Sequence, residues 1–191
     1  MAEDRRVQRS KERVLQETYG LLSRLGVSGV SVDEISRCSG VSKATIYRHW
    51  PSRSALLLDA CSQHGQAAAL PDTGNFAGDA GALAGTLAGE LKSSNWSAML
   101  PSIVDAAERD PDVMAMHGRL HADRMGPFLE IARRARERGE LAADADEADV
   151  AAALVGPLFY RRWFSREPLD AGFVARLVAA VVDQYRLRRQ G

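Results

Sequence analysis

Apolar positions in this chain recur at spacings of three and four almost throughout, and a period-two alternation never persists, which predicts helices and no strands. From about Arg5 to Leu25, the residues Val14, Leu15, Thr18, Leu21, Leu22 and Leu25 share one helical face, and Gly26 stops the run. Ser31-Val-Asp-Glu34 has the capping-box pattern, in which the Ser hydroxyl accepts from the Glu34 N–H while the Glu carboxylate reaches back to the Ser31 N–H. A second helix therefore starts at Val32, turns Val32, Ile35 and Cys38 inward, and ends at Gly40. Ser42 caps a third helix running to about His49, with Ile46 and Trp50 facing the core. Pro51 breaks it, and Ser52 caps a fourth from Arg53 to about Ala69.

Beyond this point the pattern loosens. Residues 71–90 are rich in Gly and Ala and read as a loop followed by a weak helix, with Pro71 and Gly74 marking a junction. Four further helical runs follow, near Ala98 to Arg109, Val113 to Arg138, Glu147 to Arg166 and Asp170 to Arg188. The expected fold is all-α with about nine helices: a small N-terminal unit over residues 8–68 and a larger helical unit over 69–191.

Composition narrows the function classes. The chain is 46% hydrophobic and 26% charged over 191 residues, enough to bury a core. No apolar run is long enough for a membrane span and no signal peptide is evident, so a cytoplasmic protein without a membrane partner is expected. Net charge is zero, but residues 1–55 hold 10 Lys/Arg against 6 Asp/Glu, making the first third the basic end. Cys38 and Cys61 are too few and too far apart for a disulfide framework or a zinc spacing. His117 and His121 lie four apart without a third ligand, and no phosphate loop, nucleophile elbow or carboxylate pair stands out. Neither a metal, a cofactor nor an enzyme activity is expected.

Two short helices joined by a Gly-containing turn over residues 31–50, with a longer helix in front, make a helix-turn-helix whose second helix enters the DNA major groove. Its outward residues suit that task. Lys43 and Arg53 can neutralise phosphates, Thr45, Tyr47 and His49 can donate to phosphate or read base edges, and the helix starts at Ser31, Ser42 and Ser52 offer backbone N–H groups. The run SGVSKATIYRHWPSRSAL over Ser39 to Leu56 closely resembles the DNA-binding module of TetR-type transcriptional repressors. The resemblance implies phosphate and base contacts at Ser42, Lys43, Thr45, Tyr47, His49 and Arg53, with Ala44 and Arg48 on the same short helix. Ala44 stands where that family commonly has Gly, Trp50 where it has Phe, and Arg53-Ser54 where Lys-Glu or Lys-Asp is usual. The first adds a methyl near the groove, the second enlarges an inward aromatic and the third keeps positive charge, so the module's function is expected to stand while its operator differs.

The resemblance is looser over the remaining two-thirds. The last two runs are apolar around most of their circumference, and one chain offers few other helices to cover them. A homodimer through Leu158, Phe173, Val174, Leu177, Val178, Val181, Val182 and Tyr185 is therefore expected. Similar repressors hold a small-molecule effector in this region. That implies an apolar pocket among Trp96, Met99, Ile103, Met114, His117, His121, Met125, Phe128, Phe159 and Trp163. The expected function is a sequence-specific dimeric repressor of a double-stranded DNA operator, released by a small apolar ligand. The alternative is an effector-independent architectural DNA-binding protein.

Overall fold

The structure is a computed structural model that describes residues 2–64, 69–93 and 95–186. Among the described residues nine helices follow one another: α1 (Ala2–Leu25), α2 (Val32–Ser39), α3 (Lys43–His49), α4 (Arg53–His64), α5 (Phe76–Ser93), α6 (Asn95–Ala107), α7 (Pro111–Glu137), α8 (Glu147–Tyr160) and α9 (Ala171–Tyr185). A short 3-10 turn (Val27–Gly29) follows α1 and a π turn (Arg161–Ser165) follows α8. Among the described residues there is no strand, only an isolated bridge between Leu141 and Arg186. Among the described residues, no helix is long and apolar enough to cross a membrane. The expected ends of α4 near Ala69 and of α9 at Arg188 fall partly outside the described residues.

The chain forms two compact units. The first takes Met1–Gln66 together with Asn95–His121, and the second takes Ala67–Ser94 together with Ala122–Gly191.

In the first unit, α1 packs on α2, α4, α6 and the 3-10 turn, and α2 packs on α3. Leu15, Leu22, Ile35, Ile46, Leu56, Leu57, Met99 and Ile103 fill its core. Thr18 sits on the apolar face because its hydroxyl donates to the Val14 carbonyl at 2.7 Å, leaving no buried polar group without a partner there. Gly26 has φ 67°, and a Cβ there would come within 3.0 Å of Ser102 Cβ. That closeness lets the Ser102 hydroxyl accept from Val27 N–H at 3.3 Å, tying α6 to the turn after α1.

In the second unit α5 packs on α8 and α9. The stretch expected to be a weak helix is a full 18-residue helix. Phe76, Ala80, Leu83, Ala84, Leu87, Ala88 and Leu91 form an unbroken buried stripe, and tertiary burial outweighs the low helix propensity of Gly81, Gly85 and Gly89 on the other side. Buried Asp79 anchors its first turn, accepting from Thr73 N–H at 2.7 Å and from the Thr73 hydroxyl at 2.8 Å.

Contrary to expectation, the last two helices leave no excess of large apolar residues exposed. Leu158, Val174, Leu177, Val178 and Val181 are buried within this single unit, and Phe173, Val182 and Tyr185 are half-buried. The apolar side of α5 supplies the partner that the Gly/Ala-rich sequence had concealed. The faces left outward carry small residues: Ala148, Ala152 and Gly156 on α8, continuing to Tyr160, and Ala171, Ala175 and Ala179 on α9. Tyr160 and Phe164 are 59% and 76% exposed, and their rings stack at 5.8 Å.

Candidate nucleic-acid interface

Three serines start the three short helices of the first unit. Ser31 Oγ accepts from Glu34 N–H at 3.1 Å, Ser42 Oγ from Thr45 N–H at 3.3 Å, and Ser52 Oγ from Ala55 N–H at 3.1 Å. Only half of the expected capping box forms, because the Glu34 carboxylate turns to the Arg37 guanidinium instead of to Ser31 N–H. Gly40, with φ 67°, closes α2, and its N–H reaches the Ser36 carbonyl. The turn is then pinned from both sides, since Ser36 Oγ donates to the Val41 carbonyl at 2.7 Å and Val41 N–H donates to Ser39 Oγ at 3.3 Å.

This turn delivers α3 with a sharp division of faces. Ile46 and the following Trp50 are buried, while Ser42, Lys43, Ala44, Tyr47 and Arg48 are exposed. Trp50 also donates its indole N–H to Asp59 Oδ2 at 2.8 Å, so the larger aromatic at this position brings its own acceptor on α4. Thr45 is half-buried and shares a 3.0 Å hydrogen bond with the Ser42 hydroxyl. His49 is half-buried, edge-on to Trp50 with ring centroids 5.8 Å apart. Partial burial lowers its pKa from the ordinary value, and the positive charges of Lys11 and Arg48 add to the effect.

Two cations are not free. Lys43 Nζ pairs with the Asp33 carboxylate at the start of α2, which raises the lysine pKa. Arg53 is half-buried: its Nε donates to the Val30 carbonyl at 2.7 Å and its Nη2 to the Val27 carbonyl. It thus clamps the 3-10 turn to α4 with its Nε and one of its terminal nitrogens. The residues missed in the sequence are the partners Asp33, Asp59 and Lys11. Nothing in their spacing marks them, because each meets its counterpart only across helices.

The surface can meet a polyanion with one short helix carrying a lysine, a tyrosine, an arginine and a histidine, flanked by capped helix starts. The positions expected to form an effector pocket are divided between the units. Trp96, Met99 and Ile103 are core residues of the first, where Ser23 Oγ donates to Met99 Sδ at 3.5 Å; Met114 and His121 are exposed, and His117 is half-buried. In the second, Phe128 is buried, Met125 is half-buried, and Phe159 meets Trp163 edge to face at 5.0 Å. Among the described residues, no group of three metal-ligating side chains forms.

Comparison with known proteins matches residues 14–60 to the N-terminal domain of bacterial regulatory proteins of the tetR family, and residues 70–181 to a tetracyclin repressor-like C-terminal domain. The chain is 30% identical to the HTH-type transcriptional regulator AqdR of Rhodococcus erythropolis, over 78% of this chain and 72% of that one. It is also 30% identical to the DNA-binding transcriptional repressor TetR of Mycobacteroides abscessus, over 85% and 86%. Among solved structures, the TetR family transcription regulator SCO0332 superposes with a TM-score of 0.71 at 31% identity, covering 91% of this chain and 97% of that chain.

Proposed function

The chain belongs to the tetR family of bacterial regulatory proteins and is a DNA-binding transcriptional regulator, and from that premise we propose that it works as a dimeric repressor in the cytoplasm, released from a near-palindromic operator by a small apolar or amphipathic effector. The observation that carries the DNA-binding part is the division of α3, with Ile46 and Trp50 seating the helix and Lys43, Ala44, Tyr47 and Arg48 left open to the groove. Residues 8–68 serve as the DNA-binding region and 69–191 as the effector and dimerisation region. Lys43, Tyr47 and the N–H groups at the helix starts hold phosphates. Ala44, Thr45, Arg48 and His49 face the bases, while Arg53 acts through the turn it holds.

Dimerisation uses the outward faces of α8 and α9. Small residues at four-residue spacing on α8 allow two helices to approach closely, and the exposed Tyr160–Phe164 pair supplies apolar area to bury. Two subunits then place two recognition helices about 34–36 Å apart, one helical turn of DNA. An effector releases DNA only by as much as it prefers the non-binding arrangement, about 1–3 kcal/mol in typical couplings.

The test is selection of genomic fragments by the purified protein, followed by titration of the recovered site. A short inverted repeat bound at least a thousandfold more tightly than random DNA supports the repressor reading. Near-equal affinity for all sequences would establish an architectural protein instead.

A further inference from the structure

The π turn Arg161–Ser165 opens one side of a groove of about 410 Å³ in the second unit, closed on the other side by the end of α5. Such turns interrupt a helix at a cost in regular hydrogen bonding and recur at binding sites. Here it is followed by Arg166 at φ 58°, the one non-glycine residue with positive φ among those described. The turn and this left-handed residue bring Arg161, Arg162 and Arg166 to the same groove as Lys92 of α5, with Leu91 and Leu169 as apolar wall.

The carboxylates nearby do not neutralise this set. Glu167 is paired with Arg161 at 3.0 Å, and Asp170 spends an oxygen on Phe173 N–H as the cap of α9. Arg161 is further fixed by donating to the Pro168 carbonyl at 2.7 Å and by lying 3.6 Å over the Phe173 ring, so its role is to hold the groove together. Lys92, Arg162 and Arg166 form no ion pair with any described residue, and Arg162 Nε is buried with no acceptor. A partly buried guanidinium without an anion lacks both its counter-charge and its hydrogen-bond acceptor.

We propose that this groove binds a small amphipathic organic anion, with its carboxylate or phosphate held by Arg162 and Arg166 beside Lys92 and its apolar chain laid along Leu91 and Leu169. Binding itself does not depend on the repressor reading; a role for the ligand as effector does. Trp163 lies inside the π turn next to Arg162, so its emission serves as a readout of changes at the turn.

The full chain is titrated by calorimetry and by tryptophan emission with octanoate and octyl phosphate, with octanol and inorganic phosphate as controls. The expected result is one site per chain for the amphipathic anions and at least tenfold weaker binding of both controls. The tighter of octanoate and octyl phosphate identifies the headgroup. Arg162→Gln and Arg166→Gln should each weaken the anions at least tenfold, while Arg162→Gln leaves the melting temperature at or above wild type because it removes an unsatisfied donor. Octanol binding as tightly as octanoate, or unchanged affinity in both variants, would overturn the proposal. Operator affinity measured at saturating octanoate separates the two claims: no change there removes the effector role and leaves the binding site standing.

Discussion

The Lys43 ammonium rests on the Asp33 carboxylate, joining the start of the recognition helix to the start of the helix before it. Both side chains are more than half exposed, so this pair adds little stability, and a DNA phosphate competes for the lysine with a neighbour already in place. Lys43→Ala should weaken DNA binding evenly across sequences and lower the slope of log affinity against log salt by about one. Asp33→Asn should strengthen it several-fold by releasing the lysine. Fluorescence anisotropy across a salt series reads both, and the prediction fails if Asp33→Asn weakens binding.

Arg53 contributes through architecture. Arg53→Ala leaves the Val27 and Val30 carbonyls without their donor and should cost about 1–3 kcal/mol of stability in thermal unfolding. Arg53→Lys should recover only part of this, because a single ammonium cannot reproduce the guanidinium fork. Full recovery by lysine would mean that charge alone matters there.

His49 sets a pH dependence. Its folded-state pKa lies below the ordinary value of 6.5, so the folded chain binds its proton less readily than the unfolded one. Stability from this residue is whole above the unfolded pKa and declines as pH falls through 6.5 toward the folded value. Bound phosphate opposes Lys11 and Arg48 and favours the protonated ring. DNA affinity should therefore rise as pH falls from about 7.5 to 5.5, with proton uptake on binding visible by calorimetry in buffers of different ionisation enthalpy. His49→Gln should flatten that part of the profile.

Two glycines on α5 predict opposite signs. A Cβ at Gly85 meets nothing within 4 Å, so Gly85→Ala should stabilise by about 0.5–1 kcal/mol. At Gly78 the same atom would overlap Thr73, whose hydroxyl holds Asp79, so Gly78→Ala should destabilise. Chemical denaturation of the two variants side by side decides it.

The oligomer test follows from the corrected burial of the last helices. Gly156 has open space around its Cβ position, so Gly156→Glu should leave the folded subunit intact while converting a dimer to monomer in sedimentation. Val178→Glu places a charge in the core and should lower the melting temperature outright, whatever the assembly. Loss of fold in both, or loss of neither fold nor assembly in the first, would remove the proposed face.

What was legible in the sequence were features set by neighbours along the chain. Ser31, Ser42 and Ser52 cap where their spacing to the next helix predicts, Gly40 and Gly26 turn where they should, and Ile46 and Trp50 face inward. Arg53 shows where such reading stops, since its acceptors lie 23 and 26 residues away and only the packing of α4 on α1 brings them within reach. For the same reason Val178 looked like surplus surface: its cover on α5 was hidden among glycines and alanines. The π turn left no periodic trace, because the apolar pattern runs on through Trp163 while the backbone changes its pitch.

A π turn closes each hydrogen-bonded ring over one residue more than an α-helix does, so Arg161–Ser165 amounts to a single-residue insertion absorbed without breaking the chain's course. Deleting one residue there would restore the regular pitch, rotate Arg166 off its left-handed position and redirect the arginines that follow α8. Two chains with the same recognition helix and the same arginines would then differ by one codon in the shape of this groove.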